Sequence, residues 1–305
     1  MNSKLSPLAN KGYDPAYRRN QIRSTGFLAG LFFLLVVAFL LSLRAGSYNT
    51  PLSQLIRGVF GKAADEKINL VVRNNRLPRI CTAIVSGAGL GVTGCVFQAV
   101  LRNPLASAST LGVSQGASFG AAFAIIVLNL GAVGGLGGMA IPLCAFVGSM
   151  AVALVILGLS RFRQVSAEGI VLAGVAISSM FTGATTLMQY FADEIQLNTL
   201  VFWTFGNLGN TTWADVGKMT GVLLCVCVYF FLHRWDFNAL LSGEETATSL
   251  GINVKRLTMV NILLCCLTAS VIVSYIGLIN FIGLVAPHIV RLLSLIHISE
   301  PTRRT

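Results

Sequence analysis

The chain has 305 residues, of which 54% are hydrophobic and only 11% charged, with a mean hydropathy of +0.75. A soluble domain of this size carries roughly 25% charged residues, so lipid rather than water must cover most of the surface. Runs of about 20 apolar residues, enough to cross a bilayer, recur along the chain, which excludes a single anchor on a soluble domain and argues against the short alternating strands of a β-barrel.

The net charge of +11 comes from basic residues scattered between apolar runs. That is the positive-inside pattern of membrane proteins, not the single basic face that nucleic acid requires. Residues 1–24 form a basic head, with Lys4, Lys11, Arg18, Arg19 and Arg23 against Asp14. The head is expected to stay in the cytoplasm. The apolar run after it has no small-residue cleavage site and reads as a span, not a signal peptide. Eight spans are predicted: 25–43, 80–101, 108–130, 139–160, 169–191, 214–232, 257–275 and 277–293. The expected fold is all-α, a polytopic helical bundle whose permease domain occupies 25–293.

Between spans 1 and 2 lies an amphipathic stretch, 44–78, expected on the far side without crossing. Residues 44–79 hold Arg44, Arg57, Lys62, Lys67, Arg73, Arg76 and Arg79 against Asp65 and Glu66. A basic outer face runs against the orientation rule, and an acidic partner docking there would explain it. The loop 131–138 is glycine-rich, and Arg161, Arg163, Arg234, Lys255 and Arg256 all fall on the inner side. Trp203 and Trp213 are expected as interface anchors. Residues 236–256 form a polar inner segment.

What the spans lack is equally informative. No Asp or Glu lies in the interior of one, away from its ends, which opposes an ion-coupled secondary carrier or channel and an intramembrane hydrolase. No phosphate-binding G-x-x-x-x-G-K-[ST] loop is present, so ATP would have to be hydrolysed by a separate subunit. The seven cysteines, Cys81, Cys95, Cys144, Cys225, Cys227, Cys265 and Cys266, fall largely in apolar runs without CxxC spacing. No disulfide framework, metal site or cofactor is predicted. Gly87, Gly89, Gly91 and Gly94 cluster in span 2, while Gly112, Gly116 and Gly120 sit four apart in span 3; this spacing allows close helix approach.

The motifs are more specific in combination. They run in order as Arg76-Leu77-Pro78-Arg79, Gly94 through Gln98, Asn103-Pro104-Leu105-Ala106, Leu111 through Ala117, Leu172 through Ala176, and Phe202-Trp203 with Gly206 and Trp213. Leu250-Gly251-Ile252 and Gly277 through Arg291 follow. The chain resembles the permease family of binding-protein-dependent ABC importers for iron–siderophores, haem and cobalamin. The resemblance implies ten helices per subunit, about eight of them present here, in the cytoplasmic (inner) membrane. It implies a second permease subunit, as homodimer or heterodimer, around one path surrounded by spans 2, 3, 5 and 8, with cytoplasmic ATP-binding subunits and an extracytoplasmic substrate-binding protein. It further implies that Arg76 and Arg79 dock the binding protein. Leu240 through Val254, with Glu244, Glu245, Leu250 and Gly251, would form two short helices seated on the ATPase. Gly87, Gly91, Gly112, Gly116 and Gly120 serve helix packing or the path, and no catalytic residue is expected. His288, alone and without a second donor, is expected as a polar cap at the inner end of span 8, not as an iron ligand.

After Leu293 the resemblance calls for a Gly-x-Asp-His-Arg turn and two more spans. The chain instead continues Ser294-Leu295-Ile296-His297-Ile298-Ser299-Glu300-Pro301, which reads as a translated transposon-based sequencing adapter. Residues 294–305 are therefore expected to be an artefact, and the natural chain to be longer by roughly 40–50 residues.

Overall fold

The computed structural model describes residues 15–45, 50–130, 138–162 and 167–295. The first part of the basic head, most of the glycine-rich loop, Arg163 and the tail from 296 lie outside the described residues.

Among the described residues the chain is helical without strands. In order the helices are α1 (Pro15–Arg44), α2 (Leu52–Val59), α3 (Glu66–Val71), α4 (Leu77–Val100), α5 (Val113–Ala122), α6 (Ala140–Phe162) and α7 (Ala167–Tyr190). They continue with α8 (Glu194–Thr204), α9 (Trp213–Leu232), α10 (Arg234–Leu241), α11 (Glu244–Ser249), α12 (Val254–Ile276) and α13 (Ile282–Leu295). A π-turn, Val72–Arg76, joins α3 to α4, and another, Phe123–Val127, extends α5.

Among the described residues, six helical stretches are long and apolar enough to cross a bilayer: Thr25–Arg44, Glu66–Val100, Ala140–Leu159, Gly169–Tyr190, Trp213–Leu232 and Val254–Ile276. The other two expected spans are corrected by the structure. Span 3 is the short helix Val113–Val127 and span 8 the short helix Ile282–Arg291. Hydropathy does not register the backbone breaks that shorten them. Gly112 sits at φ 83°, ending the irregular stretch before α5, while Gly277 at φ 77° and Phe281 at φ 70° delay the start of α13. Non-helical backbone is tolerated at membrane depth only where protein satisfies its polar groups. Ser107 N accordingly donates to Thr110 Oγ1 at 2.9 Å, and Asn207 N donates to the Ile276 carbonyl at 2.7 Å.

A second correction concerns the stretch before span 2. Residues 66–79 are not a separate outer segment but the start of a 35-residue helix, Glu66–Val100. At 1.5 Å per residue it is about 52 Å long, well beyond the roughly 30 Å hydrocarbon core, so one end projects from the membrane. Pro78 explains the π-turn ahead of it. Its ring would meet the carbonyl four residues back, and the wider turn relieves that clash while letting the Leu77 N–H bond to the Val72 carbonyl.

The bundle centres on α12, which packs against α4, α5, α6 and α9. Its buried face includes Asn261, Cys265, Cys266, Thr268, Ala269 and Ile272. By contrast α1 is peripheral, with Leu28, Phe32 and Phe33 more than 60% exposed, as lipid-facing residues should be. It joins the fold at its end, where Leu43 meets Leu55, Ile68, Val72 and Ile80.

Candidate functional site

Three regions carry the residues that the sequence singles out. At the projecting end of Glu66–Val100, the structure separates two arginines that the motif pairs. Arg76 is only 8% exposed, and its guanidinium donates to the carbonyl of Leu43, clamping the end of α1. Arg79 is exposed. Both line a cavity of about 700 Å³ with Asn75, Ala83, Leu208 and Gly209. A further arginine belongs to this rim. Arg73 is exposed, and its carbonyl accepts from Trp213 Nε1 at 2.8 Å, fixing the rim to the start of α9. Trp213 thus ties two elements together.

The glycines also divide. In the seam between α5 and α6, a Cβ on Gly120 would collide with the Cys144 carbonyl, and one on Gly116 would lie 2.6 Å from the Gly148 carbonyl. Gly112 is required for its positive φ, and Gly174 of α7 closes over Leu111 and Thr110. Gly87 has nothing within 4 Å of a built Cβ, and Gly91 only Ala286 at 3.9 Å. Gly87 therefore meets no packing partner among the described residues, while Gly91 faces α13 at an ordinary contact distance. The close contact in α4 is made by Gly94, against the Gly283 carbonyl. Pro287 supplies the reason, because a proline has no N–H and leaves the carbonyl four residues earlier, that of Gly283, without its helical donor. The carbonyl turns to the bare Cα of Gly94, where a Cα–H···O contact is available. One turn along, Gln98 Nε2 donates to the Leu284 carbonyl at 3.3 Å. His288 is exposed inside α13, short of its end, so it does not cap the helix.

Between α9 and α12 the short helices are α10 and α11, the first starting upstream of the expected Leu240. Gly251 follows α11 at φ 82° and lets the Ile252 N–H reach back to the Ala247 carbonyl at 3.0 Å. Glu244, Glu245 and Leu250 are exposed. Arg102, which the sequence did not single out, binds this segment to the loop after α4. Its Nη2 donates to the Leu240 carbonyl at 3.1 Å and lies 3.8 Å from Glu244 Oε1. Arg102 itself adopts φ 46°, a turn conformation that hydropathy does not reveal. Asn103 Oδ1 accepts from Leu105 N at 2.9 Å, building the turn at Pro104. Among the described residues there is no group of three His, Cys, Asp or Glu able to hold a metal.

The FecCD transport family matches residues 34–299, the greater part of the sequence. The chain belongs to that family. It is thus a multi-pass membrane protein, the permease subunit of an ABC importer. Among curated relatives, a chain of Methanocaldococcus jannaschii assigned as an ABC transporter permease is 46% identical over 85% of this chain and 76% of its own length. The hemin transport system permease HmuU of Yersinia pestis is 33% identical, covering 86% of this chain and 78% of its own. The vitamin B12 import system permease BtuC of Klebsiella pneumoniae is 33% identical over 90% and 79%. A solved structure of an inward-facing ABC transporter, assigned to the metal-chelate type, superposes with a TM-score of 0.75. It is 27% identical and covers 88% of this chain and 82% of that one.

Proposed function

We propose that this permease carries a metal chelate, a ferric siderophore or else a related haem or corrinoid, inward across the cytoplasmic membrane with its N-terminus inside. Two permease subunits would enclose one path, and two separate ATPase subunits would power it. A binding protein outside would deliver the substrate. The observation that carries this reading is the exposed basic rim, Arg73 and Arg79, on a helix too long for the bilayer. Positive charge on an outer face is unusual, and an acidic lobe of a delivery protein is its natural complement.

At the opposite face, α10 and α11 would seat on the ATPase. Arg102 is the physical route inward from there, because it links the Leu240 carbonyl and Glu244 to the loop that leads to α5. A tilt of α11 would pull on this loop and so on the short helix beyond it. Arg76, held by Leu43, is assigned to positioning the rim rather than to touching the partner.

The test is reconstitution of the permease with its co-encoded ATPase and binding protein in proteoliposomes. Uptake of radio-iron ferrichrome, haemin and cyanocobalamin is then measured with and without ATP. Accumulation of at least one probe, strictly dependent on ATP and on the binding protein, is expected. Failure of all three to accumulate overturns the proposal.

A further inference from the structure

We propose that two adjoining cavities at the rim end of α6, α9 and α12 form a binding site for a membrane phospholipid whose headgroup carries both a phosphate and an ammonium. The headgroup would lie against Lys218 and Asp215, and the start of an acyl chain against Ile141, Phe202 and Trp203. The site is separate from the cargo and does not depend on the import reading.

The first cavity, about 420 Å³, is walled by Asp215 and Lys218 of α9, by Met139 and Ile141 where α6 begins, and by Tyr275 where α12 ends. Trp213, whose indole donates to the Arg73 carbonyl, places this end of α9 beside the basic rim. The second cavity, about 380 Å³, is walled by Ile125, Phe202 of α8 and Ile276. Ile141, Trp203, Asn210 and Tyr275 line both, so the two adjoin, one charged and the other uncharged and largely apolar. An amphiphile is the ligand that matches this division.

The charged pair selects the headgroup. Asp215 and Lys218 are three apart on one helix face, with Nζ 3.1 Å from Oδ1. Asp215 is fixed from its other oxygen, because Oδ2 accepts from Thr212 Oγ1 at 2.7 Å and from Thr212 N at 3.1 Å. A carboxylate oxygen can accept a second donor, so Oδ1 has room for an ammonium beside the lysine. Lys218 Nζ carries three protons, of which one goes to Asp215, while the Tyr275 ring lies 5.2 Å away. The Lys218 side chain is 42% exposed against 16% for Asp215, so it is the member of the pair that reaches a phosphate. Together the two side chains have no net charge. A headgroup with both signs meets each with its opposite, whereas a purely anionic headgroup is attracted by the lysine and opposed by the aspartate.

The mouth gives an independent sign. Phe202 and Met139 are 71% and 52% exposed. Large apolar side chains at an opening onto water would forgo the hydrophobic gain of burial, and an opening onto lipid removes that cost. Ionisable side chains on a membrane helix mark functional sites where they face a cavity. The cargo is the poorer occupant. Of the helices expected around the path, α4, α7 and α13 supply no lining residue, and α5 only Ile125 of its π-turn extension.

The experiment is native mass spectrometry of the purified permease in detergent. Phosphatidylethanolamine and phosphatidylglycerol with identical chains are added together at equal concentration. The ratio of the two adducts within one spectrum does not depend on how much of a variant folds. The wild type should retain phosphatidylethanolamine about tenfold over phosphatidylglycerol. Lys218→Met should remove most of that adduct and Lys218→Arg should keep it. Asp215→Asn, which can still accept from Thr212, should bring the ratio close to one. No adduct on the wild type, equal retention of both lipids, or wild-type behaviour in Lys218→Met and Asp215→Asn overturns the site. Glycerophosphoethanolamine, the same headgroup without chains, should not displace the lipid at equal concentration; displacement removes the apolar cavity from the site and overturns it as drawn. Haemin and cyanocobalamin test the cargo as occupant. Persistence of the lipid adduct in their presence supports the proposal, and its loss assigns the cavities to the cargo and overturns it.

Discussion

Replacing Gly120 with alanine, beside the same replacement of Gly87, separates two glycines that look alike in the sequence. At Gly120 the added carbon would overlap the Cys144 carbonyl and lie 3.0 Å from Ala145 Cα. Both obstacles are backbone, so α5 must back away from α6 by about 1 Å to reach ordinary contact distances. Gly148 occupies the same seam, with its own Cβ position 3.1 Å from Gly120 Cα, so the shift would loosen the interface along its length. Overpacking of this kind costs about 1–3 kcal/mol. Backbone cannot rotate aside, which places Gly120 at about 3 kcal/mol, less about 1 kcal/mol regained in helix propensity. At Gly87 nothing lies within 4 Å, so the propensity gain of about 1 kcal/mol stands alone. The two variants should thus differ by about 3 kcal/mol, over 100-fold in the unfolding equilibrium. Reversible unfolding in mixed micelles, followed through Trp203, Trp213 and Trp235, measures it. Gly120→Ala as stable as Gly87→Ala would refute the close-seam reasoning.

The two rim arginines should part under mutation. Arg76→Met strands the buried Leu43 carbonyl and should cost about 1–3 kcal/mol of stability, whereas Arg79→Glu should leave stability within about 0.5 kcal/mol and weaken binding-protein association, most at low salt. A micelle unfolding curve and a salt series of pull-downs decide it; the opposite pattern assigns the docking role to Arg76. Gly251→Val forces a branched side chain into φ 82°, a strain of about 1–2 kcal/mol confined to the turn between α11 and α12. ATP hydrolysis should become uncoupled from uptake while binding-protein docking persists, and normal uptake in this variant counts against the coupling assignment. Arg102→Ala removes an exposed ion pair worth less than about 1 kcal/mol, so global stability should hold. Transport per ATP hydrolysed should nevertheless fall, and an unchanged ratio rejects Arg102 as the link.

Much of this protein was legible in order of residues alone. Composition determined the solvent, and apolar runs located the six long helices, because lipid demands about 20 apolar residues of any helix that crosses it. The ordered motifs identified the family, and the excess of arginine before span 2 pointed to the basic rim. Tertiary structure decided what depends on backbone angle and on neighbours distant in sequence. Spans 3 and 8 look like their fellows in hydropathy, yet positive φ at Gly112, Gly277 and Phe281 cuts them short. Arg76 and Arg79 are three residues apart in one motif, and only the arrival of Leu43 beside one of them buries it. Gly94 needs to be glycine because Pro287, almost two hundred residues away, frees the Gly283 carbonyl to face it. Sequence determines what each residue can do; which partner it meets is set by packing, since close contact forms only where two surfaces fold into register.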